Sequence, residues 1–91
     1  MGIFGNYKSH ISKEQFRIAR LNLKKRGLSR LEIDKVEQIF RGDMEESGDQ
    51  IGIDLKELER GIDWMRKNTA SHKISQKAID IIEEELKKRI K

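Results

Sequence analysis

The stretch Leu28-Ser29-Arg30-Leu31-Glu32-Ile33-Asp34-Lys35-Val36-Glu37, "LSRLEIDKVE", carries several helix signals at once. Ser29 followed three residues later by Glu32 is a capping box, in which each side chain satisfies an amide donor that the helix start leaves orphaned. Leu28 before the cap and Ile33 after it form a hydrophobic staple, which sets the angle at which the chain enters the helix. Ile33 and Val36, followed by Ile39 and Phe40, recur at the spacing of one helical face.

The same signature recurs along the chain. Ser12 with Gln15 and Asp54 with Glu57 give two more boxes, and Ser75 gives a fourth cap whose box position is Ala78. The staples are Ile11 with Phe16, Ile53 with Leu58, and Ile74 with Ile79. No proline interrupts these segments. Helices are therefore expected at about 13–26, 30–41, 55–67 and 76–90, with Gly27, Gly42 and Asn68 as the residues that follow the first three.

Leu28–Glu37 also aligns without gaps on Ile74–Glu83, "ISQKAIDIIE", sharing Ser, Ile, Asp and Glu. Upstream, Ile11-Ser12 matches Ile53-Asp54, and Leu23-Lys24-Lys25 matches Met65-Arg66-Lys67. The reading is an all-α fold: a small four-helix domain built from two helical hairpins, 11–41 and 53–90, with a candidate internal duplication. An acidic, glycine-containing linker, 42–52, joins them, and residues 1–10 form a loose N-terminal segment. The expected buried stripes are Phe16, Ala19 and Leu23; Ile33, Val36, Ile39 and Phe40; Leu55, Leu58, Ile62 and Met65; and Ala78, Ile79, Ile82, Leu86 and Ile90.

A chain of 91 residues makes one small domain. Charged residues are 40% of it, against about 25% in an average protein. The charge is segregated: residues 1–41 hold ten Lys/Arg against four acids (+6), residues 42–54 five acids and no base (−5), and residues 55–91 ten bases against seven acids (+3). Segregation of this kind bears on partners rather than on fold. The absence of cysteine excludes a disulfide scaffold and a thiol nucleophile. No apolar run approaches the roughly 20 residues a membrane span needs. Met1–Lys8 lacks the apolar region of a secretory signal, so a cytoplasmic protein is expected.

Asp43, Glu45, Ser47, Gly48, Asp49 and Asp54 fall at positions 1, 3, 5, 6, 7 and 12 of a loop that partly resembles the calcium-binding loop of the EF-hand family. It departs from that loop at position 3 (Glu), at position 8 (Gln50) and at position 12, where Asp replaces a bidentate Glu. Degenerate EF-hand-like calcium binding in 43–54 is one reading; a solvated acidic linker, with Asp54 spent as a helix cap, is the other.

A second candidate surface is basic. Lys13, Arg17, Arg20 and Lys24 share one face of the first helix, and Lys25, Arg26 and Arg30 extend it around the turn, a footprint suited to nucleic-acid phosphates. The acids Glu32 and Asp34 at the start of the next helix work against groove reading, and no aromatic platform accompanies the patch. A third surface is apolar. Trp64, Ile18, Leu21 and Ile81 lie off the main stripes, as a second core face or as anchors for a partner. His10 and His72 sit in no triad or ligand spacing, and no glycine-rich phosphate loop is present. The expectation is a non-enzymatic module without cofactor or metal and with no small-molecule substrate identified. It binds a protein partner or itself through the apolar positions, with nucleic acid on the basic face as the alternative.

Overall fold

A computed structural model describes residues 10–44 and 52–90. Among them the fold is all-α: α1 (Lys13–Lys25), α2 (Arg30–Met44), α3 (Leu55–Lys67), the single-turn α4 (Thr69–His72) and α5 (Gln76–Lys87). No helix is long and apolar enough to cross a membrane. Most of the expected acidic linker and of the N-terminal segment falls on residues outside the described ones, as do Glu45, Ser47, Gly48 and Asp49 of the calcium reading.

The helix starts follow the sequence signals closely. Ser29 Oγ accepts from the Glu32 amide at 3.1 Å, and Glu32 Oε1 accepts from the Ser29 amide at 2.8 Å. Asp54 and Glu57 form the same reciprocal pair at 2.8 and 3.0 Å. Ser12 and Ser75 cap α1 and α5 through the Gln15 and Ala78 amides. The Gln15 side chain does not complete its expected box; its Oε1 instead accepts from Arg89 Nη1 on α5. All eight staple residues are buried. The α1–α2 turn is a Schellman motif: Leu28 N–H donates to Leu23 O, Gly27 N–H donates to Lys24 O, and Gly27 takes φ +103°, which only glycine adopts without strain.

Several ends differ from expectation. α2 does not stop at Gly42 but runs on to Met44, which falls on the buried stripe of Ile33, Val36 and Phe40. A glycine inside a helix costs about 1 kcal/mol against alanine, whereas burying a methionine contributes about 1.5–3 kcal/mol, so continuation wins. Asn68 is not a left-handed cap; at φ −127° it starts α4, and its Nδ2 donates to Trp64 O at 2.8 Å. The left-handed residue of that connection is Lys73, at φ +60°. α5 ends at Lys87, and a turn brings Ile90 back against the core. Leu55, expected on the buried stripe of α3, is exposed. It is the first residue of the helix, and its side chain leans toward the N-terminus, beyond the packed layer.

One tertiary feature organises these pieces. Ile11 and Ile53, the staple residues before α1 and α3, exchange N–H···O bonds of 2.8 and 2.9 Å as an isolated antiparallel bridge. The two helix starts are thereby fixed side by side. α2 packs on α1 and α3, α5 packs on both as well, and α4 sits on α3, so the long helices close a ring around one apolar core. Gly52 makes the bridge possible: its φ is +113°, and a Cβ there would stand 2.8 Å from Ile11 O.

Each hairpin also carries an arginine fork. Arg20 on α1 binds Asp34 at 2.8 Å and Glu37 at 2.5 Å on α2; Arg66 on α3 binds Asp80 and Glu83 on α5, both at 2.8 Å. In both cases the carboxylates are three apart, one helical turn.

Candidate functional site

Two clefts flank the buried stripe of α2. The first lies between α2 and α3 and is lined by Ile39, Phe40, Asp43, Glu57, Arg60, Gly61 and Trp64, with a volume of about 410 Å³. Its depth depends on Gly61. A Cβ at that position would overlap the Phe40 ring, so the missing side chain is what lets α3 approach α2 over Phe40. Trp64 forms one wall and is 45% exposed. A smaller hollow of about 280 Å³ continues past it along Lys35, Gln38, Ser71 and His72, sharing Ile39 and Trp64 with the first.

His72 holds the Trp64 wall in place. The imidazole is buried and lies 5.8 Å from the indole, centroid to centroid, at a tilt of 46°. Its Nδ1 accepts from the Ile74 amide at 2.9 Å, so Nε2 carries the proton and donates to Met65 O at 2.7 Å. Lys35 Nζ donates to His72 O at 2.8 Å, fastening the connection to α2. These bonds give His72 a packing role, consistent with its lack of any ligand spacing in the sequence.

The second cleft lies between α1 and α2, about 380 Å³ in volume, lined by Lys13, Phe16, Arg17, Arg20, Glu37, Arg41 and Met44. Three of the expected phosphate-binding cations meet here. Arg20 is not the unbalanced charge expected, because its two terminal nitrogens are each committed to a carboxylate, Glu37 and Asp34. The hydrogen bond to Asp34, and then the pull of Glu37, hold its pKa above the ordinary arginine value against the cost of burial. Arg17 faces Glu14 at 3.7 Å, with both side chains largely in solvent. Arg26 points elsewhere, to Glu84 on α5 at 2.7 Å. Lys24, Lys25 and Arg30 are exposed and do not line this cleft. The basic surface is therefore split rather than continuous.

The remaining apolar candidates also separate. Ile18 and Leu21 on α1 are 46% and 59% exposed. Ile81 is packed against the core, beside the turn that holds Gly27 and Leu28. None of the three lines either cleft beside α2, so Trp64 stands apart from them.

Sequence reasoning missed Arg41, Arg60, Gly61 and Glu85. Arg41 and Gly61 become legible only once the helix neighbours are known. Glu85 is fully buried on α5. Its Oε2 accepts from Asn22 Nδ2 at 2.9 Å and from Arg89 Nε at 3.1 Å. Its Oε1 makes no well-aligned hydrogen bond, but Lys88 Nζ stands 3.3 Å from it as an ion pair. Burial is the largest influence on this carboxyl and disfavours its charge; Asn22, Arg89 and Lys88 together outweigh it and hold the group below the usual carboxylate range.

Among the described residues, no group of three His, Cys, Asp or Glu side chains converges as a metal site. No family model matches this chain, nor does any curated protein or solved structure.

Proposed function

We propose that this domain is a non-enzymatic protein-binding module that receives an amphipathic helix of its partner in the α2–α3 groove. The observation that carries the reading is Trp64: a half-exposed indole, braced by His72, beside an apolar floor of Ile39 and Phe40. Tryptophans so placed are frequent anchors of binding energy, and a groove between two helices suits a third helix carrying apolar residues at i, i+3 or i+4, and i+7.

Charge selects the partner further. Two carboxylates, Asp43 and Glu57, line the groove against one base, Arg60. A helix with lysine or arginine facing these carboxylates is favoured in rate and in register. Nucleic acid takes second place, because Arg20 and Arg26 each pair with a carboxylate on another helix and Lys24, Lys25 and Arg30 lie apart from the α1–α2 cleft.

A peptide-display selection against the full chain tests this. The enriched sequences should be amphipathic helices with three apolar anchors and a lysine or arginine beside them. Their binding should move Trp64 emission to shorter wavelength, and Trp64→Ala should weaken it by roughly thirtyfold or more. Enriched peptides that bind Trp64→Ala as tightly as the native chain, or a selection that enriches nothing, would overturn the proposal.

A further inference from the structure

The α1–α2 cleft lies on the other flank of α2 from the Trp64 groove, and protein binding there leaves it unexplained. We propose that it is a binding site for a small molecule carrying a phosphate monoester on an apolar body.

The argument starts from charge. Four cations, Lys13, Arg17, Arg20 and Arg41, line one cleft with a single acid, Glu37. Glu37 and Asp34 already match Arg20. Among the described residues, no carboxylate pairs with Lys13 or Arg41, and Arg17 has only an exposed ion pair with Glu14 at 3.7 Å, worth little in water. Among the described residues, three cations thus converge on one space with little to balance them, an arrangement whose self-repulsion an anion relieves.

The pairing of Arg20 shapes the site as well. Its two terminal nitrogens are each anchored to a carboxylate, which locks the side chain in place; a guanidinium has five N–H donors, so several remain for a ligand. A donor held rigidly before the ligand arrives costs little ordering entropy on binding.

The anion's class follows from the count. A carboxylate would balance one of the three remaining cations. A phosphate monoester brings close to two charges and three strong acceptor oxygens, which suits two arginines and a lysine around one group. The floor of the cleft sets the rest of the ligand. Phe16 and Met44 are buried apolar side chains at its base, so the body attached to the phosphate is apolar. The volume, about 380 Å³, lies within the range of small-molecule sites. A nucleic-acid strand fits less well. Lys24, Lys25 and Arg30, which a strand's successive phosphates would need, lie outside the cleft instead of continuing it.

The test uses the isotope-labelled full chain and three probes: hexyl phosphate, inorganic phosphate and hexanol. Hexyl phosphate should bind saturably and shift the Met44 methyl, the Phe16 ring and the Nε–H signals of Arg17, Arg20 and Arg41. It should bind at least roughly tenfold more tightly than inorganic phosphate, since burial of two methylenes is worth that much. Hexanol should not saturate. Arg41→Gln and Lys13→Gln, both at exposed positions, should each weaken hexyl phosphate severalfold with the fold intact and Trp64-groove binding unchanged. Three results would overturn the proposal: no saturation of hexyl phosphate at millimolar concentration; equal affinity for inorganic phosphate; or shifts at Lys24, Lys25 and Arg30 as large as those in the cleft, which would mark a diffuse cationic surface. An oligonucleotide that displaces hexyl phosphate and binds more tightly would also overturn it, in favour of nucleic acid.

Discussion

Gly42 and Gly61 are both helical glycines, and the structure predicts opposite outcomes for replacing them with alanine. Propensity alone favours alanine at either position by about 1 kcal/mol. At Gly42, on α2, a Cβ meets nothing within 4 Å, so Gly42→Ala should realise that gain and raise stability by about 0.5–1 kcal/mol. At Gly61, on α3, the Cβ overlaps the Phe40 ring. That ring is 1% exposed, between the buried Val36 and Met44 on its own helix, and cannot swing away without disturbing the core. Overpacking of this kind costs about 1–3 kcal/mol, and more where the surroundings are rigid. Set against the propensity gain, Gly61→Ala should be destabilising by up to about 2 kcal/mol, a fall in Tm of up to several degrees for a domain of this size. Urea unfolding of the two variants beside the native chain, followed by far-UV circular dichroism, measures both signs. A Gly61→Ala protein stabilised as much as Gly42→Ala would show that α2 and α3 do not meet over Phe40, and the groove built on that contact would go with it.

Two further outcomes bear on the tertiary frame. Gly52→Ala places a side chain at φ +113° and against Ile11 O, so it should break the Ile11–Ile53 bridge and cost at least about 2 kcal/mol; loss of amide-exchange protection at Ile11 and Ile53 is the readout, and retained protection would refute it. The lowered folded-state pKa of Glu85 means that its contribution is complete above the ordinary value of 4.5 and is lost as pH falls through the lower folded value. Glu85→Gln should therefore be less stable at neutral pH by about 1–3 kcal/mol, and the native chain should lose stability more steeply than the variant across that acid window; parallel stability–pH curves would count against the buried network.

The four long helices, their caps and their staples were all legible in the sequence, because capping and stapling are local: each involves residues within five positions of one another, as at Ser29, Glu32, Leu28 and Ile33. What the sequence could not state was which helix faces which. The extension of α2 to Met44 was hidden because Gly42 reads locally as a stop, and only the core it reaches makes continuation worthwhile. Arg20 read as a phosphate contact because its partners, Asp34 and Glu37, lie 14 and 17 residues away on another helix. The buried site of Glu85 was not legible because nothing near it in sequence announces Asn22, 63 residues distant. Trp64 was visible as an off-stripe aromatic, but its groove depends on Gly61 meeting Phe40. Helix formation is decided by short-range bonding and periodicity, which a sequence carries residue by residue. The clefts and the buried charge are decided by long-range packing, which the bridge between Ile11 and Ile53 sets and which only the folded chain expresses.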